Sequence, residues 1–146
     1  MVAVGARAPD FEAKLQDEST FRLSSLAGHP TVLYFYPKAD TPGCTIEAKG
    51  FRDQYPAFSA AGVKVVGVSV DDCPAQAAFA KKYGLPFPLV ADTDRAVAEQ
   101  YGVLNARGTA RRVTFLIGPD ERVLEVVDEP SADSHVAAAR ARFLKS

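Results

Sequence analysis

The sequence has few of the residues that metal and cofactor chemistry requires. There are two histidines and two cysteines in 146 residues. Neither His29 nor His135 has a partner at ligand spacing, so no metal site is expected. The glycine motifs that cradle nucleotides are absent, and no cofactor is expected. Charge of one sign is also lacking. Lys and Arg number 17 against 18 Asp and Glu, dispersed to a net charge of −1. That leaves no basic patch for nucleic acid and no polybasic anchor for a membrane. No apolar run approaches the roughly 20 residues of a membrane span. The first residues, "MVAVGARAPDFEAK", lack the order of a signal peptide. A cytoplasmic location is expected, where thiols stay mostly reduced and two cysteines point to chemistry rather than to a scaffold.

Repeats, low-complexity segments and linkers are missing as well. The composition, 47% hydrophobic and 24% charged, suits one globular domain over residues 1–146. Strand and helix patterns alternate along it. Residues 11–28 predict two short strands around the polar turn "QDEST". Runs 31–36 and 63–70 are apolar and β-branched, as in strands buried on both faces. Helices are predicted at 42–58, 74–84 and 94–102, the last two closed by Gly84 and Gly102. Residues 87–91 form a short strand between them. "RRVTFLIG" (111–118) and "RVLEVV" (122–127) predict a hairpin across "GPDE". A last helix covers 133–145, capped by Asp133 or Ser134, with His135 in an exposed pattern at its start. The order β-β-β-α-β-α-β-α-β-β-α predicts an α/β fold, a mixed central sheet with helices on both faces. Sites in such sheets form at the carboxyl ends of parallel strands. Cys44 and Cys73 each follow such an end, so both belong to one sheet edge.

Cys44 has an informative setting. Thr41 suits an N-cap and Pro42 the first helical position, which puts Gly43 and Cys44 in the first turn. Cys44, Ala48, Phe51, Tyr55 and Phe58 recur at helical spacing, one face turned toward the sheet. Pro56 predicts a kink or a stop and restart. Unpaired amides and the positive end of the helix dipole favour thiolate over thiol. By position alone two readings stand: a reactive thiolate, or a small buried hydrophobe.

The surrounding residues carry a resemblance. Pro37, Thr41 and Cys44 form P-x-x-x-T-x-x-C. The string "YPKADTPGCTIEAKGFRD", with "VVGVSVDD", "FAKKYGLPFPLVAD" and "RRVTFLIGPDERV", resembles the peroxiredoxin Q, or bacterioferritin comigratory protein, branch of the peroxiredoxins over essentially the whole chain. The resemblance implies a thioredoxin-like fold and thiol-dependent reduction of hydroperoxides. It implies Cys44 as the peroxidatic cysteine, and Thr41 as a hydroxyl beside the sulfur. Pro37 would shield the thiolate, and the amides of Gly43 and Cys44 would face the peroxide. The pattern R-x-[ST]-F selects Arg112, not Arg111, as the cation, and strand alternation turns the two in opposite directions. Glu47 stays outside this set, as a partner for a site arginine or a solvated helix residue.

Two departures from the family bear on turnover. Lys49 and Ala80 occupy positions where relatives carry a second cysteine. Cys73 is then the internal candidate for resolving the sulfenic acid; otherwise an external thiol resolves it. Thioredoxin or a similar dithiol is the implied reductant, a hydroperoxide the substrate and a monomer the expected state. A disulfide reductase would want C-x-x-C, and "CTIE" (44–47) lacks it. The non-enzymatic alternative is a redox-sensing or holdase-type protein on the same fold.

Overall fold

The computed structural model describes residues 1–144. Lys145, the predicted end of the last helix, lies outside them. Seven strands form one sheet: β1 (Glu12–Leu15), β2 (Thr20–Arg22), β3 (Thr31–Phe35), β4 (Lys64–Ser69), β5 (Leu89–Ala91), β6 (Val113–Ile117) and β7 (Val123–Asp128). Their order is β2-β1-β5-β4-β3-β6-β7. β3, β4 and β5 run parallel, and β1, β6 and β7 pair antiparallel. The helices are α1 (Pro42–Ala60), α2 (Cys73–Tyr83), α3 (Ala96–Tyr101) and α4 (Ala132–Phe143). The predicted element order and mixed sheet are what is observed.

The two faces of the sheet carry separate cores. On one, Val32, Tyr34 and Leu116 pack with Cys44, Ala48, Phe51 and Phe58 of α1, Phe79 of α2 and Ala139 of α4. On the other, Leu33, Phe35, Phe115 and Ile117 pack with Val97, Ala98 and Tyr101 of α3. The period-two alternation of β3 and β6 divides their side chains between the faces. Every residue of both strands is buried, which is why each reads as an unbroken apolar run.

Local details correct the sequence reading. α1 runs through Pro56 without stopping, although proline offers no N–H to the Arg52 carbonyl. α2 begins at Cys73 rather than Pro74, because the Asp72 side chain caps it by accepting from the Ala75 N–H at 2.9 Å. Cys73 is therefore the first helical residue and not a residue before the helix. α4 begins at Ala132, with Ser131 at the N-cap position in place of Asp133 or Ser134. β6 begins at Val113, so both arginines precede the strand.

Candidate active site

The register of the sheet assembles the site. Val113 pairs with Phe35 at the carboxyl end of β3, and with Asp128 at the end of β7. Arg112, one residue before β6, therefore lies beside the point where the chain leaves β3 for α1. Arg112, Thr114 and Leu116 are at alternate positions, and Leu116 faces α1 and α4. Arg112 follows that alternation onto the α1 face. Arg111 goes the other way and pairs with Asp128 at 2.6 Å, both well exposed. The two arginines face opposite ways, as alternation implies, and it is Arg112, the one the pattern R-x-[ST]-F selects, that turns to Cys44.

Cys44 is third in α1 and only 1% exposed. Arg112 Nη2 lies 3.5 Å from its sulfur. The Thr45 N–H bonds the Thr41 carbonyl at 2.8 Å, the first such bond of the helix. The amides of Gly43 and Cys44 precede it, so they belong to the open positive end of the dipole. Gly43 also lies against the cation: a Cβ there would stand 2.8 Å from Arg112 Nη2. Thr41 occupies the N-cap position, but its side chain does not cap. Its hydroxyl donates instead to the Lys38 carbonyl at 2.8 Å. That commits the hydroxyl proton and leaves the oxygen lone pairs free to accept. Pro37 and Arg112, with Arg111, Asp128, Glu129 and Pro130, line an open cleft of about 420 Å³.

Of the two readings the sequence left for Glu47, partner of a site arginine or solvated helix residue, the structure shows the first, whereas His135 carried no signal of a site residue. Glu47 is wholly buried, and its Oε1 accepts from Arg112 Nη1 at 2.7 Å. Burial pushes its carboxyl up to about 8, against the opposing pull of Arg112. Its three-residue spacing from Cys44 was a usable signal, since i and i+3 share a helix face. His135 is also wholly buried, not exposed as its pattern suggested. It stands in a network with Thr114 Oγ1 at 2.7 Å and the Glu129 carbonyl at 2.8 Å. His29 is exposed and distant in the chain from every group of this network.

Cys73 is partly buried at the start of α2. α1 and α2 share one face of the sheet, and side-chain links join the loop before Cys44 to α2 and its leading residues. The Ala39 N–H donates to Asp71 at 2.8 Å, and Asp40 accepts from Lys82 and the Tyr83 hydroxyl. Tyr36 bonds Gln76, which also bonds Ser69 and the Val90 carbonyl. These contacts tie the chain between β3 and α1 to α2 and the residues that lead into it. Among the described residues no group of three or more His, Cys, Asp or Glu is placed to hold a metal, and no helix is long and apolar enough to cross a membrane.

Comparison with known proteins gives a consistent result. Residues 4–126 match the model of the AhpC/TSA family. The crystal structure of peroxidoxin BcpB from Mycobacterium tuberculosis superposes with a TM-score of 0.92, at 39% identity over 100% of both chains. A Xanthomonas campestris bacterioferritin comigratory protein matches with a TM-score of 0.82, at 34% identity over 91% of this chain and 92% of that one. The Xanthomonas protein has alkyl peroxide reduction activity. The chloroplastic peroxiredoxin Q of Triticum aestivum is 48% identical over 70% of this chain and 47% of its own length.

Proposed function

The chain belongs to the AhpC/TSA family, in its peroxiredoxin Q branch, as a thiol-dependent peroxidase, and we propose that Cys44 is the cysteine that attacks the peroxide. The observation that carries this reading is the 3.5 Å approach of Arg112 Nη2 to a sulfur in the first turn of α1. A cation and a helix N-terminus both favour the thiolate, which is the nucleophile.

The chemistry follows from the placement. The Cys44 thiolate attacks the hydroxyl oxygen of the hydroperoxide. An S–O bond forms, the O–O bond breaks, and the sulfur is oxidised to sulfenic acid. The peroxide is reduced to an alcohol, or to water from hydrogen peroxide, and the departing oxygen takes up a proton. Arg112 and the amides of Gly43 and Cys44 offer donors to the charge moving onto that oxygen. The Thr41 hydroxyl, its proton committed to Lys38, accepts from the peroxide O–H and so orients it. Pro37 forms one wall of the cleft without contributing an N–H that would compete.

Turnover requires the sulfenic acid to be reduced. Cys73 condenses with it, releasing water and forming a disulfide that thioredoxin or a similar dithiol reopens. The sulfur of Cys44 is buried, so this step requires the first turn of α1 to unwind and bring the two Cα atoms within about 7 Å. If Cys73 does not resolve it, an external thiol does. The enzyme works as a monomer of one domain, in a reducing compartment such as the cytoplasm. The test is peroxide consumption with dithiothreitol as electron donor. Rapid turnover abolished by Cys44→Ser is the expected result. Turnover that survives the substitution overturns the assignment of Cys44, and absence of turnover in the unsubstituted protein favours the sensing or holdase reading.

A further inference from the structure

The peptide that joins Lys38 to Ala39 is gripped from both sides. Its carbonyl accepts the Thr41 hydroxyl proton at 2.8 Å, and its N–H donates to Asp71 Oδ2, also at 2.8 Å. The peptide is trans, so its N–H and C=O point in opposite directions within one rigid plane. Turning the N–H turns the carbonyl with it, and the hydroxyl that hangs from the carbonyl follows.

Asp71 is itself fixed by a run of hydrogen bonds whose direction one carbonyl decides. Gln76 is wholly buried, and one of its amide atoms lies 2.9 Å from the Val90 carbonyl. A carbonyl only accepts, so that atom is Nε2 and the other is Oε1. Oε1 then takes the Tyr36 hydroxyl proton, and Nε2 gives its second hydrogen to Ser69 Oγ at 2.9 Å. Ser69 in turn donates to Asp71 Oδ2 at 2.6 Å, the same oxygen that receives the Ala39 N–H. Tyr36, Ser69 and Gln76 are all wholly buried, and each of their side-chain polar atoms has a partner. A buried network satisfied in this way holds one arrangement. It leaves the β3–α1 loop at Tyr36 and returns at Ala39, closing a ring around Pro37 and Lys38. Asp40, the next residue, is also tied to α2, but through an exposed pair with Lys82 that solvent screens.

We propose that Asp71 is a positioning residue for the peroxide reaction: it orients the Lys38–Ala39 peptide so that the Thr41 hydroxyl gives its proton to the Lys38 carbonyl and keeps its lone pairs for the peroxide O–H. Asp71 lies outside the cleft that Pro37 and Arg112 line, so its effect passes through this peptide. A carboxylate on the N–H also polarises the peptide and makes the carbonyl a stronger acceptor. Without it the N–H turns toward water and the carbonyl turns away from Thr41. The hydroxyl then rotates freely, and in some of its positions its proton opposes that of the peroxide.

The inference rests on Cys44 as the reacting thiol and on Thr41 as the acceptor for its substrate. The test measures the rate constant for the first equivalent of hydrogen peroxide, in the Cys73→Ser background so that one thiol reports. Asp71→Ala is expected to lower it by about tenfold or more. The pH midpoint of Cys44 alkylation by iodoacetamide should stay in place, because that reaction has no O–H to orient. Asp71→Asn keeps an acceptor for the Ala39 N–H and is expected to stay within about threefold of the unaltered rate. In a Thr41→Val background, Asp71→Ala is expected to change the rate by less than about twofold, since no hydroxyl remains to be turned. An unchanged rate in Asp71→Ala overturns the proposal, as does an asparagine variant no faster than the alanine one. A loss that persists undiminished in Thr41→Val, or that moves the alkylation midpoint as well, marks a merely structural role and also overturns it. Thr41→Val by itself separates the proposal from its premise. If that variant reduces peroxide as fast as the unaltered protein, the reading of Thr41 has failed and the proposal falls with it. If it is slow while Asp71→Ala is not, the proposal alone has failed. Should Asp71→Ala not fold, Asp71→Ser takes its place, with a side chain that stays polar but ends short of the Ala39 N–H.

Discussion

Replacing Glu47 with glutamine should change how stability depends on pH, and the structure sets both the sign and the scale. The side chain is wholly buried, and burial moves its carboxyl from 4.5 to about 8. Between those values the native chain keeps a proton that the unfolded chain has released. Stability from this group therefore falls as pH rises through that window, and below it the penalty is absent. Each pH unit of the window is worth about 1.4 kcal/mol, which makes the full loss on the order of 5 kcal/mol. Glutamine keeps the acceptor for Arg112 Nη1 and cannot ionise, so its stability lacks this slope.

His135 adds a slope of opposite sign. Its burial lowers it from 6.5, so its contribution is present above that value and lost as pH falls below it. Both proteins contain His135, and subtracting one curve from the other isolates Glu47. The assay is urea denaturation under reducing conditions, in steps from about pH 5 to about pH 8.5. The glutamine variant should gain on the wild type steadily across this range. A flat difference would show that Glu47 titrates as it does in the unfolded chain. The same flat result, from a carboxylate that Arg112 holds ionised throughout this range, would make the reasoning about the retained proton wrong.

The remaining predictions concern the groups around the sulfur. Arg112→Met should lower kcat/KM for peroxide by about a hundredfold or more, while Arg111→Ala, which loses only an exposed pair with Asp128, should stay within about twofold; equal losses would refute the facing of the two arginines. Gly43→Ala should separate stability from activity. Alanine favours the helix by roughly 0.5–1 kcal/mol, but its Cβ would meet Arg112 Nη2 at 2.8 Å and displace the guanidinium, so peroxide reduction should fall while the melting temperature does not. Cys73→Ser should consume the first equivalent of peroxide at a similar rate and then gain about 16 Da by intact mass, whereas the wild type loses about 2 Da on forming the bridge. Oxygen gain by the wild type would make this a one-cysteine enzyme.

The parts of this molecule that were legible in the sequence are those governed by short-range patterns. Gly84 and Gly102 end α2 and α3 in left-handed conformations, as their positions after periodic segments implied. The buried runs of β3, β4 and β6 were visible because both faces are covered. That Arg111 and Arg112 face opposite ways was legible because alternation is a local rule, and the resemblance said which of them to choose. Thr41 was only half legible. Its place at the N-cap follows from the chain, but its hydroxyl turns to Lys38, a choice made by loop geometry. His135 was hidden, and Glu47 legible only as one of two alternatives, for a related reason. A helix reading assigns charged and polar residues to the solvent face by default, and it holds unless a partner lies across the interface. Here the partners come from elsewhere in the topology. Arg112 reaches Glu47 because β6 lies beside β3, and the Glu129 carbonyl reaches His135 because β7 ends where α4 begins. The same juxtaposition links Glu47 to the sulfur of Cys44 through Arg112, with 65 residues of chain separating the glutamate from the guanidinium that both groups share.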